Sequence, residues 1–323
     1  METDRIVALR CHGTDVPPVL DHIAAPRPGA GEVLIRIKAC GLNFADLLMV
    51  KGTYQATPPA PFTLGMEVAG QILQCGAGVD LTPGTRVAVF GGSGGLAEQG
   101  VFPADRVVAL PDAMSYEDAA ALQIAYGTSH VALAHRARLQ KGECLLVLGA
   151  TGGVGLTAVE LGKLMGARVI AVARGEEKRA IALRAGADVF IDSATQDIRT
   201  EVKALGGADV VYDPVGGEMF EAAFRACNPE ARILVIGFAS GTVPQPKPNH
   251  MLVKNIDLMG FYWASYLNFR PGVVTDSIAT LMEWHSRGLI HPHISHTLPL
   301  ERATEGLELL RSRRATGKVV ITI

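Results

Sequence analysis

Charge of one sign, long apolar runs and paired cysteines are all missing from this chain of 323 residues. Its 30 lysines and arginines stand against 32 aspartates and glutamates, and no like-charged run exceeds three. Without a dominant field there is no surface suited to nucleic acid or to an anionic membrane. The densest basic stretch, Arg311, Arg313 and Arg314, has the spacing of a solvated helix face. No apolar run approaches the roughly 18 residues of a membrane span. Met1, Glu2 and Asp4 lead straight into a strand pattern, with neither the basic nor the apolar region of a signal peptide. The five cysteines, Cys11, Cys40, Cys75, Cys144 and Cys227, are odd in number, scattered, and form no C-x-x-C pair. That argues against both a disulfide framework and a zinc site. A soluble, cytoplasmic protein with free thiols is expected. No internal repeat or low-complexity segment stands out.

What is present is a change of texture along the chain. From Cys144 short apolar runs alternate with helical patterns: CLLVLG, ARVIAVA, DVFID, DVVYDPVGG, RILVIGF and IDLMGFY are strands, and the segments between them are connecting helices. Six such strands with five connections predict an α/β, doubly wound parallel sheet. The strands are apolar throughout, as burial on both faces requires. Before Leu122, EVLIRIKACG, VAGQILQCG and TRVAVFG are short strands separated by Gly and Pro turns, the pattern of a partly open antiparallel β-barrel. The closing strand KVVITI is expected to pair back into that first domain. The predicted division is therefore 1–123 with 264–323 as one domain, and 124–263 as an insert.

Between the first strand of the insert and its helix lies GATGGVG, with four glycines in seven positions. Glycine at such a turn admits backbone angles closed to other residues and lets a ligand approach the main chain. Gly149, Gly152, Gly153, Val154 and Gly155 would set a diphosphate over the helix N-terminus, where free amides and the helix dipole hold its charge. The motif alone is weak. A strand before it, a helix after it and a second strand ending about 20 residues on make it a dinucleotide fingerprint. That second strand ends in Ala173 and Arg174, followed by Lys178, where a carboxylate would select NAD. Two cations there favour a 2′-phosphate, so NADPH is the expected cofactor. Gly237 and Phe238, closing the fifth strand, lie at the carboxyl edge where ligands of such sheets bind.

Six further stretches, GLNFADLLMVKGTY, PFTLGMEVAG, AAALQIAYGTSHVAL, VLGATGGVGLTAVELGKLMGARVIA, YDPVGG and KNIDLMGF, resemble in order the medium-chain dehydrogenase/reductase superfamily. The match is to its zinc-free, zeta-crystallin-like branch of NADPH:quinone oxidoreductases. The resemblance implies a Rossmann domain inserted into a GroES-like domain. It also implies that Asn43 and Tyr54 face nicotinamide and substrate across a cleft, with Thr128 near the nicotinamide ring. Asn43 can donate to a developing oxyanion, and a tyrosine hydroxyl with an ordinary pKa of about 10 holds a proton to give. Arg314 is the arginine placed to reach the cofactor. Ser193 stands nearest the adenosine, where relatives often carry tyrosine. Zinc-dependent members have Gly-His-Glu where this chain has Gly65, Met66 and Glu67, and a cysteine where it has Asn43. The lobe Phe90 to Gly100 holds no cysteine either, so no metal is expected. Asp46 and Glu67 are expected to be structural carboxylates. His285, His291, His293 and His296 match no metal spacing.

Without a Lewis acid, the fitting acceptors spread hydride charge over their own π-system. A quinone is the leading substrate. Enals, enones and enoyl-thioesters come second, though a CoA ester would want basic residues and PQPKPNH supplies only Lys247. An NADPH-binding protein with little turnover is the alternative from another class. By analogy the partner is a second copy, giving a homodimer or homotetramer joined through the apolar edge IDLMGFYW.

Overall fold

A computed structural model describes residues 5–323, so the leader reading at Met1, Glu2 and Asp4 lies outside the described residues. The chain divides into two compact units, one running to Ile124 and resuming over His291–Ile323, the other Ala125–Ile290.

The second unit is built on a six-stranded sheet in the order Val189–Asp192, Arg168–Ala173, Cys144–Leu148, Ala208–Asp213, Cys227–Val235, Asp257–Gly260. Every pairing in it is parallel. Parallel neighbours need a crossover, and helices Gly153–Leu164, Arg179–Arg184, Ile198–Ala204, Gly217–Ala226 and Pro248–Lys254 supply the five. Cys144–Leu148 is buried along its whole length, as a central strand covered on both faces must be. Each Leu or Val so buried contributes about 1.5–3 kcal/mol. Gly162 lets the first crossover helix approach closely: a Cβ there would stand 2.3 Å from Leu145 Cδ2.

The first unit holds a seven-stranded sheet with the path Ile294–Pro299, Lys318–Thr322, Glu32–Leu42, Glu67–Cys75, Arg86–Phe90, Val107–Ala109, and Gln99–Pro103 also pairing with Glu32–Leu42. The closing strand does pair back, antiparallel, with Val319 opposite Leu42. One pairing departs from the expected antiparallel pattern. Ile294–Pro299 runs parallel to Lys318–Thr322, because helix Ala303–Arg311 carries the chain back between them.

Two other expectations are corrected. The segment 264–290 groups with the second unit, not the first. Its helix Pro271–Ser286 buries Val274, Ile278 and Leu281, Ser277 Oγ lies 2.8 Å from His130 Nδ1, and Trp284 meets the His130 ring edge-on at 5.1 Å. Helix Tyr116–His130, with a π-helical continuation over Val131–Arg136, was not foreseen at all. It is buried almost all round from Ala119 to Ser129, so it has no apolar stripe to betray its period. All five cysteines are free. No helix among the described residues is long and apolar enough to cross a membrane.

Candidate active site

In the second unit the glycine turn begins at Gly149, whose φ of +59° puts it in the left-handed region. Gly155 packs directly on that turn, since a Cβ on it would lie 2.1 Å from the Gly149 carbonyl oxygen. Gly152 is different. Its φ of −77° and ψ of 176° suit any residue, and a Cβ there would meet nothing nearer than the Gly149 oxygen at 3.4 Å. It is the N-cap of helix Gly153–Leu164, and no side chain caps that end. Among the described residues the amides of Gly153, Val154 and Gly155 have no backbone acceptor outside the helix, whose first closing bond here is Leu156 N to Gly152 O at 2.9 Å. Bare amides beside an open N-cap glycine form a cradle that fits a dinucleotide diphosphate.

The neighbouring loops converge on the same sheet edge. Arg174 is exposed just beyond Arg168–Ala173, and Lys178 is half-buried in the short turn that follows. Asp192 shapes this corner. Its Oδ1 accepts from Gly175 N at 2.8 Å and from Ala194 N at 2.9 Å, and those amides hold its carboxyl below the usual range. Ser193 joins them through its own N–H to the Ala173 carbonyl. Gly237 N reaches Asp213 O at 3.3 Å, while Phe238 is largely exposed beside Gly216. Thr128 is buried, and its neighbour Ser129 donates to Val154 O at 2.9 Å, fastening that helix to the first turn of the cradle. Sequence reasoning passed over Asp213. Fully buried, its Oδ1 accepts from the amides of Val215 and Gly216, its Oδ2 has no partner among the described residues, and burial pushes its carboxyl up. The Gly216–Gly217 pair three residues on in YDPVGG was the available signal of a side-chain-held turn.

In the first unit Asn43, half-buried, opens the short helix Phe44–Val50. Its backbone N–H donates to Asp46 Oδ2 at 2.8 Å, and Asp46 Oδ1 takes Gly65 N at 3.2 Å. Burial nonetheless raises the Asp46 carboxyl to about 6. The Asn43 amide is fully engaged. Nδ2 donates to Glu67 Oε1 at 2.9 Å and to Gly41 O at 3.2 Å, while Oδ1 accepts from Lys318 Nζ at 2.8 Å. Glu67 is ion-paired with Lys318, and its Oε2 takes Ile124 N at 2.8 Å. Both charged side chains are buried, at 0% and 4% exposure. Gly41 makes this possible, for a Cβ there would collide with Ala120 O and stand 2.8 Å from Glu67 Oε1. Lys318 is a second residue that sequence reasoning missed. A lysine opening the otherwise apolar strand KVVITI was the signal.

Tyr54 and Arg314 also lie in this unit. Tyr54 is half-buried on a loop, where its carbonyl accepts from Thr57 N and Oγ1. Arg314 is exposed, with Nε on Ser312 Oγ at 3.0 Å. At the Gly65, Met66, Glu67 triplet, a thioether, an amide and a carboxylate already claimed by an ammonium do not suit Zn²⁺.

Comparison with known proteins identifies the family. Residues 29–112 match the family described as alcohol dehydrogenase GroES-like domain, and residues 153–281 the one described as zinc-binding dehydrogenase. Quinone oxidoreductase-like protein 2 of Mus musculus is 37% identical over 312 residues, spanning 95% of this chain and 89% of its own. Among solved structures, the Thermus thermophilus quinone oxidoreductase, also determined with NADPH, is 32% identical at a TM-score of 0.87, over 98% of this chain and 100% of that one. The Escherichia coli quinone oxidoreductase complexed with NADPH is 26% identical with a TM-score of 0.90, over 99% and 100%. The chain belongs to the zinc-free NADPH:quinone oxidoreductase branch of the medium-chain dehydrogenase/reductase superfamily.

Proposed function

We propose that this protein is an NADPH-dependent, zinc-independent reductase whose acceptor is a quinone. The observation that carries the reading is the uncapped helix start at Gly152–Gly155 with Arg174 and Lys178 at the end of the next strand. Gly149, Gly152, Gly153, Val154 and Gly155 would hold the diphosphate, and Arg174 with Lys178 the 2′-phosphate. Thr128, Ser193, Gly237, Phe238 and Arg314 complete the proposed cofactor contacts. NADPH supplies the hydride when bound.

On the substrate side, Asn43 is the proposed hydrogen-bond donor. Of its two Nδ2 bonds, the one to Gly41 O is longer, and an incoming oxygen competes best for that proton. Tyr54 holds a proton to give once the acceptor is reduced, although a hydroquinone oxygen also draws protons from water. A quinone suits this donor set because it delocalises the charge that a metal would otherwise carry. A second copy completes the proposal, docking on the edge strand Asp257–Gly260 beside exposed Leu252 and Val253.

The test is NADPH consumption with a simple quinone under anaerobic conditions. Turnover well above the uncatalysed rate is expected. Saturable NADPH binding without quinone turnover would move the assignment to an enal, enone or enoyl-thioester, or to a binding protein. Sedimentation as a monomer at micromolar concentration would refute the dimer.

A further inference from the structure

We propose that Lys318 is a positioning residue for the reduction: with Glu67 it fixes which way the Asn43 amide faces and polarises it toward the substrate oxygen. This rests on Asn43 being the donor to substrate.

The register of the sheet brings the two together. Val319 pairs with Leu42, so the next antiparallel step sets Lys318 against Asn43, and Lys318 N is tied to His293 O at 2.8 Å. Gly41 pairs with Glu67 on the other side of the same strand. An amide has an acceptor end and a donor end of nearly identical shape, and only its partners choose between two orientations. Here the ammonium takes Oδ1 and the carboxylate takes Nδ2. Turned over, the amide would set its NH₂ against the ammonium and its oxygen against the carboxylate, replacing two attractive contacts with two repulsive ones. Glu67 is not free to follow, because Ile124 N holds its second oxygen at 2.8 Å.

The same pair acts on strength. A cation on Oδ1 draws electron density from the amide and makes both Nδ2 protons better donors, an effect enhanced where water is excluded. Glu67 retains one proton, and the other rests on Gly41 O at 3.2 Å. That weaker bond is the one a substrate oxygen takes over as negative charge develops on it. Asp46 and Glu67 are the carboxylates facing this cluster and Lys318 its cation.

The test compares wild type, Lys318→Arg, Lys318→Met, and a Glu67→Gln, Lys318→Met double variant in which both members of the buried ion pair are neutralised together. Four quantities are read: thermal midpoint, NADPH Kd, kcat with a simple quinone, and the Asn43 side-chain ¹⁵N–¹H₂ resonances of cofactor-free protein. In the double variant the midpoint and Kd should stay near wild type, the Asn43 resonances should move, and kcat should fall about 10- to 100-fold, the scale of a misplaced catalytic group. Lys318→Arg should recover part of kcat. In wild type one Nδ2 proton should exchange with solvent markedly more slowly than the other, a readout that needs no variant to fold. Unmoved resonances with unchanged kcat in the double variant, or two equally fast protons in wild type, would overturn the proposal. Wild type that reduces no acceptor would instead remove the reductase reading beneath it, and the kinetics of wild type alone report that failure.

Discussion

Substituting alanine at Gly152 and at Gly155 separates ligand binding from packing, since these two glycines differ in what a methyl group would meet. At Gly155 the added carbon would lie 2.1 Å from the Gly149 oxygen and 2.8 Å from its carbonyl carbon, both main-chain atoms that cannot rotate aside. Overpacking of that kind costs about 1–3 kcal/mol. For a unit of this size each kcal/mol lowers the melting midpoint by about 2–4 °C. Gly155→Ala should therefore melt roughly 2–12 °C below wild type without any ligand present. At Gly152 the nearest atom is 3.4 Å away and the backbone is extended. The loss of flexibility in the unfolded chain and the poorer N-cap nearly cancel, leaving a change of about 1 kcal/mol or less. Yet a methyl there stands over the bare amides of the helix start. It should weaken NADPH about 10- to 100-fold, or about 1.4–2.8 kcal/mol. Thermal unfolding of cofactor-free protein and a fluorescence titration with NADPH measure the two effects. If Gly152→Ala bound NADPH like wild type while Gly155→Ala melted like wild type, the turn would not be the diphosphate cradle.

Three other outcomes are expected. Arg174→Ala should raise the NADPH Kd about 10- to 100-fold and leave NADH unchanged, because a guanidinium–phosphate bond contributes about 1.5–3 kcal/mol; equal losses for both cofactors in the titration would remove the 2′-phosphate assignment. Tyr54→Phe should lower kcat/KM less than tenfold, and a larger loss in steady-state kinetics would make that hydroxyl the obligatory proton source. Asp46, with its carboxyl raised to about 6 from 3.8, is ionised at a cost in the fold. Between about pH 4 and 6 the native state holds a proton that the unfolded chain has released, so stability rises as pH falls through 6, by about 3 kcal/mol at most. Midpoints of wild type and Asp46→Asn measured from pH 7.5 to 5 should diverge in favour of wild type. Parallel curves would show that burial does not perturb this group.

The inserted sheet was legible in the sequence because its strands are short unbroken apolar runs between glycines, a pattern that only a twice-covered sheet demands. Cys144–Leu148 and Arg168–Ala173 fall within a residue of where that texture put them. Helix Tyr116–His130 was hidden because it is buried almost all round and so shows no amphipathic stripe. The boundary misplaced at 264 reflects a contact, Ser277 to His130, across 147 residues that no local pattern encodes. The glycine turn could be read as a ligand cradle since every part of it is local. Asn43 could be named, but not its surroundings, because its cation arrives from 275 positions away.

That distance bears on biosynthesis. Glu67 and Asn43 leave the ribosome some 250 residues before Lys318, with the whole second unit translated in between. Until the strand Lys318–Thr322 is available to pair with Glu32–Leu42, the early part of the first unit would have to bury an unneutralised carboxylate, at a cost of several kcal/mol. The nascent first unit is thus discouraged from locking prematurely, while the inserted unit, contiguous from Ala125 to Ile290, is free to fold first.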